Sequence, residues 1–302
     1  MTHRTARRIS WLALFSTALA FGCRRGAPAT QIARMEAGAL PQGCTTAGRA
    51  DLLALGPAVD ILRSGLESAL KGTALPTLDA HNGVRRASFC KLAKGTSART
   101  DFILVLGGEV RPDALAALAA SDGSEPTSSI EGTPVVARGG LWVARRTARD
   151  GSSEVILASD LDRMRVALVG PAGSYALDES AALAITIDAG DLPSRSGRNG
   201  PAGGNGLDAV RAVNISVLAG AAGLVGRFSI GEQVAAERLA RDLRPLIAGL
   251  ANRLGIATHT SPRVLTEVER GDVVARIELP PGTLEMLASS LASLRARSTL
   301  PR

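Results

Sequence analysis

Ser88 and Lys91 have the S-x-x-K spacing of a serine nucleophile and its lysine base. That chemistry needs the lysine amine close to the serine hydroxyl, and a helix provides this because residues i and i+3 are neighbours on its surface. It also needs a second polar cluster and a K-T-G strand, but the nearest match, residues 94 to 96, reads K-G-T. We therefore interpret the pair as part of an ordinary helix surface, and a hydrolase is only our third hypothesis.

Other motifs with chemical potential have a structural explanation. Residues 270 to 272 spell R-G-D, whose Gly and Asp are turn residues. The glycine-rich residues 200 to 206 lack the G-K-[ST] ending and the helix start of a phosphate-binding loop. Two carboxylate pairs are interpreted as caps, turns and solvated loop charges: Asp178 with Glu179, and Asp188 with Asp191. No catalytic residue is predicted.

The N-terminus has the parts of an export signal. Residues 1 to 8 carry three arginines and no acid, and residues 9 to 22 form an uncharged, largely apolar stretch of 14. This stretch fits the apolar region of a signal peptide and is shorter than the roughly 20 residues of a membrane-spanning helix. The pattern predicts a signal peptide over residues 1 to 22.

The end of this stretch, A-F-G-C at residues 20 to 23, resembles the lipobox of bacterial lipoproteins, with the small Gly22 directly before Cys23. In that family the cysteine thiol is diacylated and the chain is cut before it, so the resemblance implies that Cys23 is a lipid-anchored N-terminus. Ala20 stands where leucine is usual and Phe21 is bulky. Ordinary cleavage and an uncleaved anchor remain as alternatives.

The resemblance also implies a location. Two acyl chains anchor a protein stably, whereas one gives only reversible binding. Arg24 and Arg25, rather than Asp, follow Cys23, which by analogy with enterobacterial sorting implies the outer membrane, with the chain facing the periplasm. The predicted partners are the membrane, through the anchor, and an envelope protein.

The chain has three cysteines, an odd number for an exported protein. Lipidation of Cys23 leaves Cys44 and Cys90, which can form a disulfide in an oxidising compartment. In the chain-entropy model, closing this loop of about 47 residues contributes about 4 kcal/mol. The alternative is two unpaired, small apolar side chains. His81 and His259 are the only histidines after the signal and show no paired metal-ligand spacing, so no metal or cofactor is predicted.

Composition limits the core and the partners. Of 302 residues, 45% are hydrophobic and only 3% are aromatic, which predicts aliphatic packing. The net charge of +7 falls to +4 without the three signal arginines. The remaining arginines alternate with acids and have few aromatics among them, unlike the basic stripe of a nucleic-acid-binding protein. No nucleic-acid partner is predicted.

The chain divides into three regions after the signal. Residues 23 to 50 are rich in Gly, Pro and Thr without periodicity and predict a lipidated N-terminus with a flexible tether. Residues 51 to 190 form the first folded part, and a glycine-rich loop at 191 to 206 precedes the second part at 207 to 302. The first part has predicted helices at 57 to 71, 76 to 94, 111 to 120 and from Asp160, and predicted strands at 101 to 110, 134 to 137, 141 to 147, 153 to 158 and 182 to 190.

The second part has the clearest periodicity. Apolar residues alternate with polar ones over 212 to 230 and again over 263 to 279, which predicts two hairpins with one buried face each. Helices are predicted at 231 to 254 and 282 to 295. The first helix carries Pro245, which we expect to kink or divide it, and an apolar stripe of Leu239, Leu243, Leu246, Ile247, Leu250 and Leu254.

The strand segments GLVGRFSI and DVVARIEL, from 223 and 272, align without a gap. With residues 141 to 168 they indicate three strand-strand-helix units. The predicted fold class is α+β: an antiparallel sheet of repeated β-β-α units with helices on one face and a polar, wet or partner-binding face opposite.

This arrangement loosely resembles uncharacterised predicted lipoproteins of high-GC Gram-negative bacteria, in which a lipobox precedes repeated hairpin-and-helix units. The resemblance transfers no functional residue. We expect a non-catalytic interaction or structural module, with a carrier for an apolar ligand as the alternative; the oligomeric state stays open.

Overall fold

A computed structural model describes eleven stretches of the chain. They are residues 40–55, 59, 83–93, 101–108, 128–138, 140–148, 151–178, 180–189, 209–218, 223–253 and 263–278. The signal peptide, Cys23, the 191–206 loop, most of the predicted 57–71 helix and the predicted helices at 111–120 and 282–295 lie outside them.

Within the described stretches, twelve strands form one sheet in which all neighbours are antiparallel. The strands are β1 Cys44–Asp51, β2 Val84–Leu92, β3 Phe102–Gly108, β4 Ser128–Ile130, β5 Thr133–Arg138, β6 Leu141–Thr147, β7 Ser153–Ala158, β8 Ala181–Asp188, β9 Ala212–Leu218, β10 Gly223–Ser229, β11 Arg263–Glu269 and β12 Asp272–Glu278. Their order is β11-β12-β10-β9-β8-β1-β2-β3-β7-β6-β5-β4. The helices with described bounds are α1 Leu52–Leu55, α2 Leu161–Val169 and α3 Gln233–Arg253.

The predicted fold class is wrong, because the described chain is mostly sheet and its few helices do not pack as repeated β-β-α units. Strands β4 to β7 follow one another without a helix, and β8, β9 and β10 form a meander before α3. The two aligned segments belong to β10 and β12, which pair directly with each other. The two segments are alike because they occupy neighbouring positions in one sheet, not because they belong to successive copies of a β-β-α unit.

Residues 84 to 92 form strand β2, so the helix predicted over 76 to 94 is wrong there. The strand lies between β1 and β3 and pairs with both. Because Arg85 is exposed and Arg86 partly exposed at its start, the sequence does not show the apolar pattern expected of an internal strand. Pairing on both edges decides the conformation here, since strand preference depends strongly on the surroundings.

The predicted tether over 23 to 50 is too long at its C-terminal end, since residues 44 to 51 form β1 near the centre of the sheet. Strands β2 and β8 pair with its two edges. Apart from Arg49 its residues are small, so the sequence shows no strong apolar pattern, yet Ala47 and Ala50 are buried. Gly48 lies under the ring of Phe89, which fills the space that a larger residue would occupy.

The sheet carries apolar layers on both faces. Along β3, Leu104 and Leu106 belong to one buried cluster, whereas Ile103 and Val105 belong to another. The first cluster includes residues of β8, β9, β10 and β12 and the stripe of α3, and the second includes Met164 of α2. The strands near β3 are therefore covered on both sides, which explains the continuous apolar run at 102 to 106.

Helix α2 begins at the predicted place. Asp160 caps it and accepts a 2.8 Å hydrogen bond from the Arg163 amide. At the other end, Arg146 of β6 donates to the carbonyl of Ala167 at 3.1 Å. These contacts, with Met164 fully buried, hold the helix on β3, β6 and β7.

The predicted strands at 134–137, 141–147, 153–158 and 182–190 are confirmed within two residues, as are both hairpins of the second part. Helix α3 packs on β11 and β12 and buries Leu239, Leu243 and Ile247 of the predicted stripe. Pro245 does not divide the helix, which continues to Arg253. Buried residues on both sides of Pro245 keep the helix in place despite the lost hydrogen bond.

Candidate functional site

The outer surface of β10, β12 and β11 carries a neutral set of charged side chains, here called the ion-pair face. It consists of Arg227, Arg263, Glu267, Glu269, Arg276 and Glu278. The sequence positions them because alternate residues of a strand point to the same side. The residues that alternate with them along the strands point to the opposite side of the sheet and are buried in the core. They include Phe228, Val273 and Ile277.

Three cross-strand ion pairs span this face. Guanidinium nitrogens and carboxylate oxygens are 3.1 Å apart for Arg227 and Glu269, 3.3 Å for Arg276 and Glu267, and 3.8 Å for Arg263 and Glu278. All six side chains are 42% to 69% exposed, so each pair stabilises the fold by less than about 1 kcal/mol. The charges are therefore accessible to a partner, and the expectation that this side of the sheet is wet holds for these strands.

Pairing also limits what the ion-pair face can bind. Each arginine already has a carboxylate, so an anionic ligand would have to displace that carboxylate. The face also contains Val274, which lies opposite Arg227 and Glu267 and is only 2% exposed. Alternating charges around a covered apolar residue fit a protein surface of mixed charge better than a phosphate-rich ligand.

A second polar group lies at the centre of the sheet, around Arg49 of β1. Arg49 is 8% exposed, and its guanidinium donates a hydrogen bond to the carbonyl of Asp178. Ser88 of β2 pairs with Arg49 in the strand register and is also buried. These residues tie the segment before β8 to the sheet.

The Asp178 carboxylate accepts hydrogen bonds from the Ser180 amide at 3.0 Å and the Ser180 hydroxyl at 2.7 Å. Partial removal from water raises its pKa, but the Ser180 bonds, a Ser216 hydrogen bond and the Arg49 charge outweigh this effect and hold the pKa below its usual value. Asp178 is thus ionised at neutral pH. A general acid or base needs a pKa near the working pH, so this arrangement suits anchoring of the chain rather than proton transfer.

The structure does not bring Ser88 and Lys91 together. Both lie on β2 rather than on a helix surface, and residues three apart on a strand point to opposite faces. Ser88 is opposite Arg49 of β1, whereas Lys91 is opposite Thr46. The pair therefore has no geometry for nucleophile activation.

The remaining motifs are structural where they are described. Arg270 and Gly271 have φ values of 52° and 82°, which form the two-residue turn between β11 and β12. Asp272 accepts a 3.2 Å hydrogen bond from the Ile230 amide, so the R-G-D carboxylate is part of the fold. Asp178 caps a turn as expected, Asp188 ends β8, and Glu179 and Asp191 lie outside the described residues.

Cys44 and Cys90 form a disulfide, which the sequence left open. The sulfur atoms are 2.05 Å apart and both residues are buried. The Cys44 amide also donates to the hydroxyl of Tyr175 at 2.9 Å, and that hydroxyl donates to the carbonyl of Pro41. Tyr175, the chain's one tyrosine, is a contact that sequence reasoning missed. Together these contacts fix the start of β1.

The described stretches contain no cluster of three or more His, Cys, Asp or Glu side chains arranged to hold a metal. Within the same stretches, no helix has both the length and the apolar character needed to cross a membrane.

The chain folds as an antiparallel sheet with helices packed against it. The solved structures that match it are distant in sequence. No family model and no curated protein matches the chain. Crystal forms III, I and IV of TP0453 are similar at 15%, 13% and 15% identity, with TM-scores of 0.49, 0.49 and 0.46. The matches cover 85%, 84% and 88% of this chain and 97%, 96% and 99% of TP0453. At this distance the likeness assigns neither a family nor a function.

Proposed function

We propose that the protein is an exported envelope lipoprotein that is anchored through Cys23 and acts as a non-catalytic interaction module. The buried Cys44–Cys90 disulfide is the main support, because such bridges persist in oxidising compartments and are rare in the cytosol. The bridge accounts for two of the three cysteines. The third, Cys23, stands at the end of the signal-like stretch, where a lipid would be attached.

Two features favour interaction over the other hypotheses. The charged side chains of the ion-pair face are paired with one another, and the S-x-x-K pair is split between two faces of the sheet. Under α3, where a carrier would need space, Leu239, Leu243 and Ile247 are at most 3% exposed and pack with the core. This packing favours a filled aliphatic core, while a carrier remains the second candidate.

The anchor is tested by expressing the full chain in a Gram-negative host fed a labelled fatty acid. We expect the wild-type protein to carry the label and to sediment with membranes. Cys23→Ser should lose the label and still form the Cys44–Cys90 bridge, as shown by a mobility shift on reduction. An unlabelled wild-type protein overturns the anchor, and free Cys44 and Cys90 thiols in folded protein overturn the oxidising location.

The interaction role is tested by placing a photo-crosslinking residue at Arg276 on the ion-pair face. The control position is Asp162 on α2, whose side chain is 88% exposed. We expect a discrete envelope-protein adduct from position 276 and none from position 162. Identical adduct patterns at the two positions contradict a role for this face.

A further inference from the structure

Strand β11 is an open edge of the sheet. It pairs with β12 on one side and has no strand partner on the other among the described residues. None of its seven residues is fully buried. At the opposite edge, by contrast, the three-residue β4 buries Ile130.

Among the described residues, this edge lacks several of the usual protections against pairing with another strand. Natural edges are blunted by short length, charged side chains (especially lysine), proline, bulges or a covering element. Strand β11, R-V-L-T-E-V-E, has neither lysine nor proline, and its register with β12 is regular throughout. Its three charged residues all lie on the ion-pair face, together with Leu265.

We propose that β11 pairs antiparallel with β11 of a second copy of this chain, centred on Thr266. In this register Arg263 lies opposite Glu269 of the other copy, and Val264 lies opposite Val268. Opposite-charge pairs and paired β-branched residues both stabilise neighbouring strands. Each pairing occurs twice because the contact is two-fold symmetric.

The two surfaces of the sheet select this register. A slip by one residue would place ion-pair-face residues opposite core-face residues, so only registers shifted by two are compatible. Centring on Glu267 would place two glutamates directly opposite each other, which is unfavourable. Centring on Leu265 pairs five residues of β11 rather than seven. Thr266 is thus the centre that uses the whole strand.

The core face and the ion-pair face of the sheet would both continue from one copy to the other across this contact. Val264 and Val268 already pack against the main core cluster, so their paired copies extend the apolar layer. Arg263 and Glu269 already contact Glu278 and Arg227 within one chain, so their new partners lengthen the row of ion pairs. The contact therefore continues both faces of the sheet, with Leu265 facing Glu267 of the other copy between the outer charge pairs.

The test is cysteine crosslinking in the full chain within the envelope of the expressing cell. Thr266→Cys should give a covalent dimer with mild oxidant or a short bis-maleimide, because the two-fold axis passes through this position. Val268→Cys should not, since residue 268 lies opposite residue 264 of the other copy. The unsubstituted chain controls for Cys23. Absence of a dimer with Thr266→Cys, or equal crosslinking at position 268, overturns the proposal.

Charge exchange tests the register in the Thr266→Cys background. Glu269→Arg should reduce the dimer yield by about tenfold, because arginine then faces arginine twice. Adding Arg263→Glu should restore the yield, although both changes also alter exposed pairs within the chain. Failure of the double variant to recover, with unchanged thermal unfolding, overturns the pairing. The outcome is independent of the anchor, since Cys23→Ser protein can be tested in the same way.

Discussion

Gly48 and Phe89 lie opposite each other on β1 and β2, and their sizes are matched. A β-carbon on residue 48 would overlap the ring of Phe89. This glycine is therefore needed for close approach of a side chain rather than for an unusual backbone angle.

We expect Gly48→Ala to destabilise the protein by about 1–3 kcal/mol, because the ring must leave its place in a packed layer. Gly107→Ala is the matched control, since its β-carbon would meet no atom closer than 3.7 Å. Urea unfolding of the two variants measures the difference. Equal stabilities would show that Phe89 moves without cost.

Asp178 gives a prediction that depends on pH. Its folded pKa lies below the usual value of 3.8, so the unfolded chain takes up a proton first as pH falls. The stabilising contribution is complete above the unfolded pKa and is lost as pH falls through the folded pKa. Asp178→Asn should therefore lower the free energy of unfolding at pH 7, and the gap to wild type should shrink below about pH 4.

Unfolding by urea between pH 3 and 7 measures this gap. Asp188→Asn, which removes an exposed carboxyl at the end of β8, is the control. A gap that is independent of pH contradicts the linkage, even if Asp178→Asn is less stable than wild type.

At the scale of elements, α2 depends on its N-cap. Asp160→Ala should cost about 1 kcal/mol, because the Arg163 amide loses its acceptor at the start of the helix. Asp162→Ala, two residues further on, removes a highly exposed carboxylate in the first turn and should cost clearly less. Thermal unfolding ranks the variants, and a reversed order contradicts the capping role.

Elements with a regular pattern were predictable from the sequence, and those without one were not. The hairpins β9-β10 and β11-β12 alternate apolar and polar residues, and Asp160 precedes a periodic stretch that becomes α2. Strand β1 has small residues apart from Arg49, and β2 has basic residues at its start. Their conformation is set by strands that pair from elsewhere in the chain, which a local pattern does not show.

The candidate sites were likewise predictable only where a local sequence pattern marked them. The alternation over β10 and β12 predicted a polar face, but its ion pairs depend on β12 lying between β10 and β11. The Arg49 and Asp178 contact joins residues far apart in sequence, and no local signal marks it. Conversely, the S-x-x-K spacing is a local signal that places its Ser and Lys together only on a helix. On strand β2 the two side chains point to opposite faces.

At the scale of the whole molecule, the disulfide joins adjacent strands in the middle of the sheet. Its two cysteines are 46 positions apart in sequence, and removal of the bridge should lower the free energy of unfolding by about 2–4 kcal/mol. The variant Cys44→Ala with Cys90→Ala, measured by urea unfolding, gives this value. Reductant should destabilise wild type and leave the variant unchanged; the same response in both would contradict a formed bridge.

The sheet also has a repeated order that the sequence did not reveal. From the β1–β8 contact outward, one side reads β1, β2, β3, β7, β6, β5, β4 and the other reads β8, β9, β10, β12, β11. Each side begins with a three-stranded meander and continues with an antiparallel run that joins in reverse, four strands long on the first side and two on the second. The repeat is thus larger than a β-β-α unit, and its two copies meet where β1 pairs with β8.

The contact between β1 and β8 has a consequence for folding. These strands are neighbours in space, but most of the first half of the sheet lies between them in sequence. As the chain is synthesised, β1 acquires β2 early, while its other edge stays unpaired until β8 has been made. Long-range pairing of this kind slows folding and exposes an unpaired strand edge to aggregation. We therefore expect closure of this seam to be the step that joins the two halves of the sheet.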